Sequence, residues 1–150
     1  MLIAIGADHA GFELKEHLAA FLCEQGYQIL DVGTYNNESV DYPDYAEAVA
    51  LAIRNGKAER GILICCSGVG ASVAATKIPG IRAGLCHDTY SAHQGVEHDD
   101  MNILVVGSCV VGLELAKELV RSFVGAQFTG EERHRRRLEK IQAIEVRYRS

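Results

Sequence analysis

Apolar runs of five or six residues alternate with amphipathic stretches from one end of the chain to the other. Leu2–Gly6, Gln28–Val32, Gly61–Cys66, Ile81–Cys86 and Asn102–Gly107 are rich in branched side chains and bounded by polar or glycine-containing segments. That pattern predicts strands buried on both faces, as in a parallel sheet. Between them, Leu14, Leu18, Phe21 and Leu22 form one helical stripe, Ala46, Val49, Ala50 and Ile53 a second, and Ala116, Leu119, Val120 and Phe123 a third. Pro43 stands where the second of these helices should begin, and Gly26 and Gly56 stand where the first two should stop.

Five strands joined by helical crossovers predict a single α/β domain over residues 1–150, a Rossmann-like, doubly wound parallel sheet. The expected strand order is 2-1-3-4-5, in which the chain reverses direction between the first and third strands and opens a ligand crevice at their carboxyl ends. The loops Ala7–Gly11 and Ser67–Gly70 face each other there. A last amphipathic segment, over about residues 132–147, carries Leu138, Ile141, Ile144 and Tyr148 along one side. The sheet has little surface left for it to cover, so it is expected to pack on a partner subunit.

Composition narrows the classes. With 150 residues, 48% hydrophobic and 23% charged, the chain is an ordered domain with its own core and not a disordered polymer. No run is long enough to span a membrane. An odd count of five cysteines and no signal-like stretch after Met1 predict free thiols and a reducing, cytoplasmic location. The net charge is −5, yet residues 131–150 hold seven bases against four acids. An acidic body argues against nucleic-acid binding, and a basic tail suits a small anion.

The strongest local signal is Ile64-Cys65-Cys66-Ser67-Gly68-Val69-Gly70-Ala71, a strand running through a glycine turn into a helix. Glycines let backbone amides approach an anion, and a thiol at the strand end beside those amides is placed to act as base or nucleophile. The turn lacks the Lys-Ser/Thr of a P-loop and the third glycine of a dinucleotide fingerprint, so no nucleotide cofactor is expected. Alternation along the strand sends one of Cys65 and Cys66 away from the crevice. Asp8 and His9 follow the first strand, where Asp8 also has the position of a helix-capping residue. His98 precedes the last strand. His93 and His98 lack the spacing of a familiar zinc site, and no metal is expected. Arg133 and Arg137, four apart on the basic segment, share a face and suit a phosphate.

Several separated blocks together resemble the type B ribose-5-phosphate isomerases, a family that includes the galactose-6-phosphate isomerase subunits. They are Gly6-Ala7-Asp8-His9-Ala10-Gly11-Phe12, Asp31-Val32-Gly33-Thr34, Asp41-Tyr42-Pro43, Gly61 to Cys65, Gly68-Val69-Gly70, Gly80-Ile81-Arg82-Ala83, Val110 to Lys117, and Arg133-His134. The resemblance implies a homodimer or dimer of dimers that interconverts an aldose phosphate and a ketose phosphate without metal or organic cofactor. It implies Cys65 as the proton-abstracting base, assisted by Ser67, and His98 as the residue that opens the sugar ring. Cys66, Ser67, Gly68, Val69 and Gly70 then form the loop over the enediolate, with Asp8, His9, Tyr42, Asp99 and Cys109 at substrate-contacting positions. Arg133 and Arg137 are implied to bind phosphate in the partner's site. Cys66, Asp99 and Cys109 stand where the family usually has glycine, asparagine and arginine; the last two remove a positive charge and add a negative one, which leads us to expect weaker phosphate binding. The substrate classes left open are ribose 5-phosphate, allose 6-phosphate, galactose 6-phosphate and a free aldose. A phosphate-sensing module and a thiol-based redox or transferase enzyme are the readings from other classes.

Overall fold

The computed structural model describes residues 1–149. Its strands are β1 (Leu2–Ala7), β2 (Gln28–Asp31), β3 (Arg60–Cys65), β4 (Ala83–Leu85) and β5 (Ile103–Gly107), and every pairing between them is parallel. The helices are α1 (Phe12–Glu24), α2 (Tyr42–Arg54), α3 (Val69–Ala75), α4 (Thr89–Asp99), α5 (Leu113–Gly125) and α6 (Glu132–Arg147). Pro43 lies in the first turn of α2, where its missing N–H leaves no helical bond unmade. Gly26 and Gly56 follow α1 and α2 with φ of +93° and +74°, the left-handed conformation that ends a helix most readily at glycine.

The strand order is β2-β1-β3-β5-β4, so the last two strands are exchanged relative to the order expected from sequence. The physical reason lies in β4. It is only three residues long and none of them is fully buried, whereas all five residues of β5 are buried. The apolar run at 81–86 thus supplies only a three-residue edge strand, and the run at 102–107, which forms five residues of strand, takes the central place beside β3. Returning from β4 to β5 also carries α4 back to the face occupied by α1 and α5.

Alternation along the strands divides the core in two. Ile3, Ile5, Ile62, Ile64, Leu104 and Val106 point toward α1, α4 and α5, where they meet Leu18, Leu22, Val96, Leu119 and Phe123. Ala4, Leu63, Cys65, Ile103 and Val105 point the other way, against Ala46, Val49, Ala50, Ala71 and Ala75 of α2 and α3. Each large side chain so enclosed contributes about 1.5–3 kcal/mol. One cation lies within this apolar frame: Lys15 is fully buried, and its Nζ donates to Asp31 Oδ2 at 2.6 Å and Glu16 Oε1 at 2.9 Å. Burial alone would lower the Lys15 pKa, but bonds to Asp31 and Glu16 outweigh it and raise the value above 10.5. The pair ties α1 to the end of β2, whose continuation bonds β1 through Ala7 N to Gly33 O and Thr34 N to Ala7 O, both 2.8 Å.

Helix α6 packs on its own chain along the amino edge of the sheet. His134 and Leu138 are buried, and Gly80 N donates to Glu145 Oε1 at 3.0 Å. Ile141, Ile144 and Tyr148 remain 44–77% exposed, so of the stripe read as a partner-facing surface the chain itself buries only Leu138. No helix among the described residues is long and apolar enough to cross a membrane.

Candidate active site

Cys65 ends β3 at the carboxyl edge with its side chain buried, 5% exposed, on the α2/α3 face. Its Sγ accepts a hydrogen bond from Gly68 N at 3.2 Å. Gly68 itself has φ +84°, and a Cβ there would lie 2.6 Å from Leu85 Cδ1, so both backbone and space call for glycine. The neighbouring amide of Val69 donates to Ser67 Oγ at 3.2 Å. The next two amides, Gly70 and Ala71, have no acceptor among the described residues. The glycine turn read from sequence as Gly68–Gly70 therefore presents its free donors one residue further on, at Gly70 and Ala71.

Tyr42, in the first turn of α2, lies directly over Gly70: a Cβ on Gly70 would meet its Cζ at 2.5 Å and its Oη at 2.7 Å. Asp8 and His9 reach the same edge from β1. Asp8 Oδ1 accepts from Ala10 N at 3.0 Å and Gly11 N at 3.1 Å. This carboxylate thus shapes the entry to α1 with one oxygen and has the other to spare. Val40 N donates to His9 Nδ1 at 3.2 Å; a backbone amide only donates, so the neutral His9 ring carries its proton on Nε2. Gly11, at the start of α1, lets the helix entry press against the end of β3, since a Cβ there would strike Ile64 O at 2.6 Å.

Cys66 and Cys109 form a disulfide, with Cα atoms 4.9 Å apart. The expectation of five free thiols is corrected: Cys23, Cys65 and Cys86 are free, and only the first is exposed. Cys66 lies just past β3 and Cys109 just past β5. Because β3 and β5 are neighbours, with Cys65 opposite Gly107, the two cysteines face each other across one strand spacing. The order expected from sequence had β4 between them and hid the pairing. Two further residues at this edge were not singled out by sequence reasoning. Ser108 Oγ donates to Ala10 O at 2.9 Å and Ser108 N to Cys65 O at 2.9 Å, which joins three loops. His87 Nε2 accepts from Gly107 N at 3.0 Å. A serine or histidine just after a buried strand is the available signal, and it is a common one.

The remaining candidates gather elsewhere. His98 lies in the last turn of α4, whose end leads into the amino end of β5. Its Nδ1 is 2.8 Å from Gln94 Nε2, and its ring stacks on His134 of α6. His134 is held in turn by Thr129 Oγ1 at 2.6 Å from its Nδ1. Asp99, Arg133 and Arg137 are exposed around this pair. Cys65 and His98 therefore lie at opposite edges of the sheet, separated by the length of β5, about 13 Å at ~3.3 Å per residue. Within one chain the two histidines of the sequence reading do not converge: His9 is at the thiol's edge and His98 at the other.

A surface cavity of about 700 Å³ also opens on the amino edge, lined by Lys77, Ile81, Met101, Ile141, Ile144 and Tyr148 among others. Its walls are mainly aliphatic, and none of the thiol, the glycine turn, Asp8 or His9 lines it. No group of three or more His, Cys, Asp or Glu side chains suited to a metal ion occurs among the described residues.

Residues 3–141 match the family model described as Ribose/Galactose Isomerase. The chain belongs to this family. It is 52% identical over 145 residues to the ribose-5-phosphate isomerase B of Escherichia coli K12, covering 97% of each chain. It is 42% identical over 130 residues to the D-erythrulose-4-phosphate isomerase of Pectobacterium atrosepticum, covering 85% of each. Among solved structures, ribose-5-phosphate isomerase B of Clostridium thermocellum superposes with a TM-score of 0.96 at 49% identity, over 99% of this chain and 100% of that one. Family membership makes the chain an isomerase, in agreement with the resemblance drawn from its motifs.

Proposed function

We propose that the chain interconverts ribose 5-phosphate and ribulose 5-phosphate through a cis-enediolate, with Cys65 as the base. The observation that carries this reading is the Cys65 thiol beneath a turn whose Gly70 and Ala71 amides are free. Moving a proton between C2 and C1 on one face of a sugar needs a single base. The carbon acid is weak, so the developing oxyanion must meet fixed donors, and amides already in position cost no reorganisation when the charge forms. Cys65 Sγ takes the proton from C2 and returns it to C1, while Ser67 Oγ passes the hydroxyl proton between the two enediolate oxygens. The reaction is redox-neutral overall, so no cofactor is required.

The site is completed by a second copy of the chain in a homodimer, which can pair further into a dimer of dimers. The support is geometric. His98, Arg133 and Arg137 stand too far from Cys65 in their own chain to touch the same pentose phosphate. Val69 and Val73, beside the turn, are 54% and 56% exposed and give that edge an aliphatic face for another subunit. His98 from the partner opens the ring, an imidazole being suited to that proton exchange near neutral pH. Arg133 and Arg137 hold the phosphate, which orients the reacting carbons. His9, Asp8 and Tyr42 line the sugar from the thiol's side.

A four-carbon sugar phosphate is the second reading, favoured by the name of the Pectobacterium relative. The deciding experiment is incubation of the pure protein with ribose 5-phosphate or D-erythrose 4-phosphate and measurement of ketose. Ketose from ribose 5-phosphate that vanishes in Cys65→Ala and is not restored by Cys65→Ser supports the proposal. No ketose from either sugar overturns it.

A further inference from the structure

We propose that Cys66–Cys109 is a reversible redox clasp that sets turnover by bracing the turn above Cys65, an inference that rests on the isomerase reading. The bond joins the first residue of the turn to the loop after β5, and both cysteines are solvent-exposed, whereas Cys65 between them and the core is buried. An exposed disulfide is open to exchange with small thiols. The residues are also held together without it: Ser108 N donates to Cys65 O and Cys109 N to Cys66 O, each at 2.9 Å. Opening the bond therefore leaves the two sulfurs close enough to close again, and the fold supports both states.

The exchange balances with a low-molecular-weight thiol as reductant. One thiolate attacks a sulfur of the bridge, forming a mixed disulfide and freeing one cysteine thiolate. A second thiolate then displaces the other cysteine. Two small thiols are oxidised to one small disulfide, and the bridge is reduced to two thiols by the same two electrons and two protons. The small disulfide drives the reverse reaction.

The consequence for catalysis follows from what the clasp holds. Cys66 adjoins the base, and three residues on from Ser67 begin the free amides. Closing the clasp restricts the backbone that aims Gly70 and Ala71, and these donors act on charge that exists only in the transition state. The reduced form should therefore lose kcat with little change in KM. We expect a loss of about fivefold, equivalent to about 1 kcal/mol.

The test uses the full chain, air-oxidised or treated with dithiothreitol and then with glutathione disulfide. Alkylation with mass detection should count three free thiols when oxidised and five when reduced. Amide hydrogen exchange over residues 66–75 should quicken on reduction and slow again on reoxidation, a readout independent of turnover. Cys66→Ser and Cys109→Ser should both show the reduced form's kcat and exchange rate, insensitive to either reagent, and Cys23→Ser should respond as the parent does. Five thiols under all conditions, or equal exchange and equal kcat in the two states, would overturn the clasp. If turnover is absent in both states, the isomerase reading fails, and the exchange data alone decide whether the clasp braces the turn.

Discussion

The imidazoles of His98 and His134 stack with centroids 4.0 Å apart and planes 25° from parallel. His134 is the buried member, at 2% exposure. Burial first, and then the nearby His98 and Arg133, hold its pKa below the ordinary 6.5, against a smaller opposing pull from Glu131. In the unfolded chain His134 takes up a proton near 6.5, while in the fold it resists. Below that pH the unfolded state binds more protons, so stability falls as pH drops; above it the ring is neutral in both states and contributes no slope. Urea midpoints measured from neutral pH to about pH 5 should therefore decline, and His134→Gln should flatten part of that decline. An unchanged slope in the variant would place the acid sensitivity elsewhere.

The separation of Cys65 from His98, Arg133 and Arg137 across the sheet leads to a complementation experiment. A Cys65→Ala chain keeps the basic cluster, and an Arg133→Ala, Arg137→Ala chain keeps the thiol. Each homodimer should be nearly inactive. Mixed dimers formed by subunit exchange should recover about half the sites of the parent, because one of the two sites then holds an intact set from both chains. Persistent inactivity in subunits shown to exchange would mean that the arginines do not serve a neighbour's thiol.

Much of this arrangement was legible in the chain, and what escaped did so for identifiable reasons. The stripes Leu18–Leu22 and Leu119–Phe123 face the core because helical period and burial agree there. The Cys65 turn was visible because glycine at Gly68 and Gly70 has few other uses after an apolar strand. The exchange of β4 and β5 has only a faint signal in the sequence: the run at 81–86 is interrupted by Arg82 and Gly84, whereas Ile103–Val106 is four aliphatic residues in a row and suits the buried centre of the sheet. That one exchange hid the contact of Cys66 with Cys109 and moved α4 to the other face. His98 resembles a residue of the thiol's crevice by its motif, yet it stands where a helix gives way to the following parallel strand, a position that belongs to the amino edge whatever the strand order.

The proposed task of His98 can be separated from the proton transfer itself by choice of substrate. Ribose 5-phosphate rests as a furanose closed through O4, whereas in D-erythrose 4-phosphate that oxygen carries the phosphate and no such ring forms. His98→Asn should slow ketose formation from ribose 5-phosphate by about a hundredfold, within the range for a lost acid–base group. The same variant should keep most of whatever rate the parent shows on the tetrose phosphate. Equal losses on both would make His98 a general binding residue and not the ring-opening one.

Tyr42 and Gly70 are coupled by their contact. A methyl group on Gly70 would lie 2.5 Å from the Tyr42 ring, far inside van der Waals distance. Tyr42 is 41% exposed, so the ring can swing toward solvent and the fold should survive Gly70→Ala. What should suffer is the cover over the free Gly70 and Ala71 amides, with kcat/KM falling about tenfold, or ~1.4 kcal/mol. Tyr42→Ala removes the same cover without the clash and should fall by a similar factor. Because both changes act through one ring, the double variant should be no worse than Tyr42→Ala alone, a non-additive result expected of residues in contact. Losses that multiply would show instead that the Gly70 backbone is disturbed directly, and that Tyr42 has no part in shaping the amide turn.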